Sequence, residues 1–503
     1  MKKAVFLIFI FSLLSKLIGF FRELLVSYYY GVSHITDAFN IAQSIPGFFL
    51  TFFGIAVSTT LIPVYNRIKE QENTANADCF FNTLCLFFVV ISLLVSLLLI
   101  YFSESVVFIF APGLTGQAKE WAIELTEICC LGIVLYTLTF LFNSYLNAKS
   151  KFIVTAFTNV PYNIVLLLSV FYSVQYGVEY LAIGKIVASL VQVITLVFFA
   201  KKSELIFDIN IRANNKEVKN ILFLAIPALL GSCVEQINRV VDKNIASTLM
   251  VGGISIVNYS ERLILLVEGL LLSPLILVVF SKASQVYSKQ GLKETNYVIQ
   301  KAIRVIIIVA FPLSIFLSVF SYEIVKIVYG RGEFSNQDVI ITSSLLSIYS
   351  LTIFFNALRQ VISRYFYAME DTKTPMWNAM LGMACNIILN IILSRFFGIT
   401  GLAMATLISS VLICSLMFYS LYKTSFDVKF ISMVKLILQV AIVSLFCAIL
   451  GLEAMPIFIE NTNGLVGFFI CSIILLLSYT FSLVILKVQD VLEFKNKIIK
   501  KVF

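Results

Sequence analysis

Apolar residues run along this chain in blocks of roughly twenty, separated by short polar stretches, from one end to the other. A helix of about 20 residues covers the ~30 Å hydrocarbon thickness of a bilayer. Fourteen blocks meet that length, at approximately 4–27, 38–63, 79–102, 121–146, 152–173, 179–200, 219–246, 254–280, 302–322, 340–363, 375–394, 398–422, 432–451 and 464–486. The pattern predicts an all-α polytopic membrane protein with fourteen transmembrane helices. The first block continues past Arg22 with no small-residue cleavage site behind it, so it reads as a retained helix and not as a signal peptide.

Composition excludes the main alternatives. The 503 residues would suit about three soluble domains at ~150 residues each. Yet 60% are hydrophobic and only 13% charged, against about 25% charged in soluble domains. The deficit runs the full length, which leaves no room for a soluble domain, a disordered region, a coiled coil or a nucleic-acid-binding surface.

The net charge of +9 is explained by topology. With a cytoplasmic N-terminus, and with residues at the block ends counted with the connections, 26 Lys and Arg fall in inner connections and the termini, 4 in outer connections and 7 well within the blocks. The inner set includes Lys201, Lys202, Arg212, Lys216 and Lys219 in one connection and Lys495, Lys497, Lys500 and Lys501 in the tail. The outer set is Lys119, Lys326, Arg331 and Arg395. That asymmetry is the positive-inside pattern, and it places both termini in the cytoplasm.

Nine cysteines all lie in apolar segments without a Cys-x-x-Cys, and the single histidine, His34, offers no ligand cluster. They read as buried structural thiols, and no metal is expected. The 46 Phe and 22 Tyr read as membrane packing and interface residues.

The chain also repeats weakly at an offset near 220. Tyr145-Leu-Asn-Ala148 is echoed by Tyr365-Phe-Tyr-Ala368, Leu181-Ala182 by Leu402-Ala403, and a glycine-bearing outer turn recurs at Gly31 and Gly252. Six blocks fit within that offset, and an even number of crossings returns the chain to its starting side. The copies therefore share one orientation, related by an axis along the membrane normal as in many secondary transporters. The expected organisation is an N-lobe at 1–205 with helices 1–6, a C-lobe at 206–425 with helices 7–12, and 426–503 carrying helices 13–14 and a basic tail.

Charges inside the blocks carry the candidate chemistry. The cations are Lys16, Arg22, Lys185, Arg239, Lys243, Arg262 and Arg359, and the neighbouring acids include Glu23, Asp37, Glu235, Asp242, Glu261 and Glu268. Most fall on the first two helices of each lobe. Such residues cost a few kcal/mol on insertion scales and usually face a bundle interior or wet cavity, so a central polar chamber is predicted. Lys16 and Glu23 share a helix face, Glu235, Arg239 and Asp242 form an i, i+4, i+7 stripe, and Glu261 and Glu268 repeat the seven-residue spacing. Ion pairs holding helices together are the alternative reading, strongest for Glu235 with Arg239. An arginine fork suits phosphate bidentately and a lysine serves as a point charge, so the chamber suits an anionic, phosphorylated substrate better than a cationic drug.

At these residues the chain resembles a known family. Ser15-Lys16-Leu17-Ile18-Gly19-Phe20-Phe21-Arg22-Glu23, followed by Gly31 and Thr36-Asp37-Ala38-Phe39, resembles the opening of the MurJ (MviN) lipid II flippases. Ile62-Pro63, Ile226-Pro227-Ala228, Tyr259, Arg262, Arg331-Gly332-Glu333-Phe334, Tyr365-Phe366-Tyr367-Ala368 and Asp371-Thr372-Lys373-Thr374-Pro375 follow in the family's order. The resemblance covers about residues 10–410. It implies a fold of the multidrug/oligosaccharidyl-lipid/polysaccharide exporter superfamily, MATE-like, with fourteen helices and a cationic cavity for a diphosphate-linked sugar lipid. It also implies Lys16, Arg22, Asp37 and Arg262 as substrate-binding residues, with Glu23, Arg239, Asp242, Lys243, Glu261 and Glu268 as further cavity candidates. Lys16 stands where the family usually has Arg, Leu50 and Thr51 where an Arg is expected, and Gly54-Ile55-Ala56 replaces a Gly-Glu-Gly-like stretch.

The expected function is a flippase in the bacterial cytoplasmic membrane, moving an undecaprenyl-diphosphate-linked saccharide from the inner to the outer leaflet by alternating access. The cargo is lipid II or a capsule or O-antigen unit. A multidrug/cation antiporter would favour an acidic chamber, and a polytopic glycosyltransferase would need catalytic carboxylates and a sizeable outer loop; the outer connections are short and hold no Asp-x-Asp. No enzyme activity and no cofactor are expected beyond the membrane potential and a coupling cation such as Na+ or H+, for which Asp242 is a candidate. The expected partners are the lipid substrate and membrane lipids, with the protein acting as a monomer.

Overall fold

The computed structural model describes residues 2–205, 234–424, 430–461 and 464–486, with side chains at 2–5, 52–53, 55–60, 430–431 and 459–461 outside the description. Arg212, Lys216, Lys219, the Ile226-Pro227-Ala228 stretch and the tail lysines 495, 497, 500 and 501 fall outside the described residues. Among the described residues every regular element is helical.

In chain order the helices are α1 (Lys2–Tyr30), α2 (His34–Gln71), α3 (Thr74–Tyr101), α4 (Ser103–Phe110), α5 (Gly116–Leu131), α6 (Ile133–Ala148), α7 (Phe152–Tyr176), α8 (Glu179–Lys202) and α9, described over 234–249. They continue with α10 (Gly253–Val267), a π turn (Glu268–Leu272), α11 (Ser273–Gln290), α12 (Leu292–Val319), α13 (Ser321–Val328), α14 (Asn336–Ala368), α15 (Lys373–Phe397), α16 (Ile399–Tyr422), α17 (Phe430–Asn461) and α18 (Gly464–Ile485). Eleven helical stretches among the described residues are long and apolar enough to cross a membrane. They match eleven predicted blocks. The other three, on α1, α2 and 219–246, include residues or side chains outside the description.

The repeat is visible in helix lengths. α3 and α12 have 28 residues each, α4 and α13 have 8, α7 and α15 have 25, and α8 and α16 have 24. The turn after α6 and the turn after α14 share one geometry: Ser150 at φ 60° and Glu370 at φ 63°, 220 positions apart. In each, two backbone N–H groups reach back to close the helix end, Ser150 to Asn147 and Lys151 to Leu146, then Glu370 to Tyr367 and Asp371 to Phe366. This left-handed closure satisfies carbonyls that the helix end would otherwise leave open.

Two departures from the predicted blocks have physical causes. The block 121–146 is broken into α5 and α6 at Gly132, whose counterpart region in α14 runs unbroken. The block 254–280 contains the π turn, and the burial pattern shows its effect. Ile256, Ser260 and Ile264 are buried at helical spacing, which an uninterrupted helix would continue at about 267, 271 and 275. The buried positions are instead Leu272, Ile276 and Ala283. One residue has been added, as a π turn does.

The described residues pack into two units. The first comprises Met1–Ser255 with Arg331–Ser335, and the second Ile256–Gly330 with Asn336–Phe503. This is a division by packing and differs in kind from the repeat-based lobes. In the first unit Leu61, Tyr65, Phe81, Leu84, Phe88, Leu141, Tyr145 and Leu196 form a core between α2, α3, α6 and α8. Within it Asp78, 2% exposed, accepts from Tyr65 Oη at 2.6 Å and Tyr145 Oη at 3.4 Å, with Lys149 Nζ 4.0 Å away. Leu93, Leu94, Leu97 and Leu98 of α3 are exposed; in lipid such a face is solvated by acyl chains. Helix pairing there depends on close packing and small residues. Gly184 of α8 fits that rule, since a Cβ would come 2.0 Å from Ser169 Cβ of α7.

Candidate functional site

The polar residues of the first unit sort into three groups. On α1, Arg22 is half-buried and bonded to its neighbour Glu23, which is buried; Tyr162 of α7 lies within electrostatic reach of the guanidinium. Lys16, on the same helix, is exposed. Near it Ser15 Oγ accepts from Asn163 Nδ2 at 3.0 Å, and Gln192 Nε2 donates to Asn159 Oδ1 at 3.0 Å, forming a polar seam between α1, α7 and α8.

The second group lies at the connections after α1 and before α10. Gly31 (φ 54°) ends α1, and Ser33 with Thr36 forms a reciprocal cap on α2. One residue on, Asp37 is 1% exposed and accepts three hydrogen bonds: from Gly252 N at 2.8 Å, Ser255 N at 2.8 Å and Ser255 Oγ at 2.6 Å. Gly252 and Ser255 stand at the start of α10, so a carboxylate meets the open N–H groups and positive end of a helix, the favourable arrangement. Gly252 at φ 77° provides the turn that presents those groups. Asn40 Nδ2 adds a bond to Ser255 Oγ at 3.3 Å. Sequence reasoning named Asp37 but missed Ser255; the Gly31/Gly252 echo was the available pointer.

The third group is on α9. Glu235 and Arg239 are exposed, while Asp242 is 5% exposed and accepts from Asn238 Nδ2 at 3.3 Å. The predicted stripe therefore divides: its third member turns inward, away from the exposure of the first two. Lys243 donates to Ser44 Oγ of α2, and Asn244 Nδ2 donates to Ile109 O at 2.7 Å. Lys185, on α8, sits over the Tyr136 ring at 5.4 Å.

In the second unit, Glu261 and Arg262 are half-buried on α10. This helix is held by Ser260 Oγ donating to Thr342 O of α14 at 3.1 Å, and by Tyr259, 2% exposed, against the Tyr329 ring at 5.0 Å. Glu268 opens the π turn and lies within electrostatic reach of Arg359 on α14. Glu268 Oε1 and Arg359 Nε are buried and make no hydrogen bond among the described residues. Arg359 was counted among the intramembrane cations but not assigned to the site; only the tertiary packing of α14 brings it to Glu268. Among the described residues, no cluster of three or more His, Cys, Asp or Glu is arranged to hold a metal ion.

Half-buried guanidinium groups are of the kind that pairs with anions, and Asp37 centres a network of hydrogen bonds. Against known proteins, residues 26–475 match the family model described as lipid II flippase MurJ. A probable lipid II flippase MurJ of Buchnera aphidicola subsp. Acyrthosiphon pisum is 30% identical over 406 residues, 79% of each chain. Among solved structures, one described as lipid II flippase MurJ in an inward closed conformation superposes with a TM-score of 0.83 at 29% identity, covering 96% of this chain and 98% of that one. An inward-facing multidrug resistance MATE family transporter of the MOP superfamily superposes with a TM-score of 0.69 at 14% identity, over 82% of this chain and 96% of the other, a likeness of fold.

Proposed function

The chain belongs to the MurJ family of lipid II flippases, and on that premise we propose that it carries lipid II from the inner to the outer leaflet of the bacterial cytoplasmic membrane. The observation that carries this reading is the near-complete match to a MurJ structure, over 96% of the chain at 29% identity. No bond is made or broken in flipping, so the protein is a transporter and not an enzyme.

The mechanism is alternating access with fourteen helices and cytoplasmic termini. Lys16, Arg22 and Arg262 bind the diphosphate: the guanidinium groups by paired N–H donors and Lys16 as a point charge. A carboxylate repels a diphosphate, and Asp37 has its acceptor sites engaged by Gly252 and Ser255. Its part is accordingly to hold the outer side closed while cargo enters from within. Glu23 tempers Arg22, which keeps the cation site from holding its cargo too tightly to release it.

A diphosphate carries about two negative charges, and moving each outward across 100 mV, inside negative, releases ~2.3 kcal/mol. The potential alone thus supplies about 4–5 kcal/mol per cycle in the outward direction. A coupling cation adds to it if Asp242 takes one up.

Reconstitution tests the reading. The full chain in vesicles containing head-group-labelled lipid II should render the inner-leaflet fraction accessible to an impermeant quencher faster than in protein-free vesicles, and an outward-positive potential should accelerate it. Equal rates with and without protein would refute lipid II as cargo. A parallel arm with an undecaprenyl-diphosphate-linked oligosaccharide separates cell-wall from capsule or O-antigen cargo.

A further inference from the structure

α7 carries two stripes of the same spacing, set two residues apart and so about 200° from each other around the helix. Phe157, Ile164, Leu168 and Phe171 form the first; all four are exposed, an apolar face for acyl chains. Asn159, Leu166, Val170 and Ser173 form the second. Leu166, Val170 and Ser173 are buried, and Val170 packs with Val26 of α1 and Leu181 of α8. Asn159, nearest the start of α7 on that same stripe, is exposed. Its exposure therefore lies on the side of α7 that meets α1 and α8, opposite the side that meets lipid.

The surroundings of this opening are polar. Gln192 of α8, 6% exposed, donates from Nε2 to Asn159 Oδ1 at 3.0 Å, and Asn159 Nδ2 gives one hydrogen to Thr155 O at 3.2 Å. Ser15 Oγ of α1 donates to Asn159 O at 3.4 Å and accepts from Asn163 Nδ2 at 3.0 Å. Lys16, the next residue of α1, is exposed. With its oxygen taken by Gln192, the Asn159 amide presents its second N–H to the opening, and a lysine ammonium has donors only. Donors of this kind suit an anionic oxygen.

Amides can simply tie membrane helices together, but a tie is best served by covering every member, and Asn159 is left open. We infer that Asn159 is a further cargo-contacting residue, its N–H donating to a phosphate oxygen of the lipid diphosphate held by Lys16. Gln192 is a positioning residue that acts by fixing which way the Asn159 amide is turned. The inference rests on the reading of Lys16 as a diphosphate ligand.

Titration of the purified full chain with undecaprenyl diphosphate in detergent tests it. Asn159→Ala should weaken binding about tenfold, as loss of one hydrogen bond to a charged group does. Asn159→Asp keeps the shape and still accepts from Gln192, but sets a negative charge against the phosphate and should weaken binding further. Gln192→Ala should cost severalfold alone and nothing more in the Asn159→Ala background, a non-additivity that a purely structural tie would not produce. Parent affinity in both Asn159 variants would overturn the contact, and additive losses would overturn the positioning role. A parent that binds no undecaprenyl diphosphate would overturn the flippase reading and this inference with it, whereas a parent that binds alongside unaffected variants refutes the inference alone.

Where Asn159→Ala does not accumulate, cysteine accessibility decides. In a background otherwise free of cysteine, Asn159→Cys in permeabilised membranes should react with a charged maleimide and be protected by undecaprenyl diphosphate. Phe157→Cys, on the lipid-facing stripe, should stay unreactive. An Asn159→Cys protein that resists labelling, or labels equally with and without undecaprenyl diphosphate, would overturn the inference.

Discussion

Asp37 accepts both the backbone N–H and the hydroxyl of Ser255, at 2.8 and 2.6 Å, across 218 positions of sequence. The carboxylate thus joins the first turn of α2 to the first turn of α10. Ser255→Ala removes the hydroxyl's bond to Asp37 and the weaker one it accepts from Asn40, and a hydrogen bond to a charged group contributes about 1.5–3 kcal/mol. Asp37→Ala strands two N–H groups and the hydroxyl together and should cost more. Thermal unfolding of the purified protein should rank parent, Ser255→Ala and Asp37→Ala in falling order of stability, and equal midpoints would show the network to be of no energetic consequence.

Asp371 should make stability acid-sensitive. It lies in the turn between α14 and α15, where burial alone would raise its pKa. Hydrogen bonds from Thr374 Oγ1 at 2.6 Å and from the N–H groups of Thr374 and Lys373, both at 3.0 Å, hold it below the usual carboxylate value instead. A carboxylate depressed in the folded state contributes stability above its unfolded pKa, near 4, and loses that contribution as pH falls through the folded value. Asp371→Ala should cost about 1 kcal/mol, as helix-capping substitutions do. The deficit relative to the parent should shrink below about pH 4, which melting curves at pH 3 and pH 6 would reveal; a deficit independent of pH would assign the effect to packing.

Much of this was legible in the sequence because lipid imposes a simple rule. A helix must be long and apolar, so eleven described spans fall where blocks of hydrophobic residues predict them, and the 220-residue register reappears as paired helix lengths. What block-reading misses are features that hydropathy does not encode. Gly132 breaks one span while its counterpart region stays whole, and the π turn at Glu268 keeps the helix apolar while shifting its buried face by one residue. The charges were legible as a set, but their partners were not. Sequence spacing suggested that Glu235, Arg239 and Asp242 act as a stripe, whereas burial separates Asp242 from the other two. Glu268 comes within electrostatic reach of Arg359 because elements well separated in sequence pack together.

The Glu268–Arg359 pair yields a prediction opposite to simple addition. Both are half-buried and each offsets part of the other's charge at a distance, so removing one leaves the other less well compensated. Glu268→Gln and Arg359→Gln should therefore each destabilise, and the double variant should recover part of the loss. A double-mutant cycle in thermal or denaturant unfolding checks it. Additive losses would mean that the two side chains do not interact.

Arg262 should matter more to flipping than Lys16. Lys16 is exposed and lacks a planar fork, so it offers an incoming diphosphate a point charge where a guanidinium offers paired donors. Arg262→Ala removes a guanidinium from an apolar helix, which eases insertion of that helix by about 2.5–3.5 kcal/mol on insertion scales. Loss of function in that variant would then be a loss of binding and not of assembly. With charge-assisted bonds contributing about 1.5–3 kcal/mol, flipping at limiting substrate should fall by about ten- to a hundredfold. Arg262→Lys keeps the charge without the bidentate geometry and should retain part of the rate. Cells relying on Arg262→Ala should accumulate the lipid-linked precursor in the inner leaflet while the protein is present in the membrane at the parent level. Normal flipping by Lys16→Ala, Arg22→Ala and Arg262→Ala alike would make these cations structural and move the diphosphate site elsewhere in the chain.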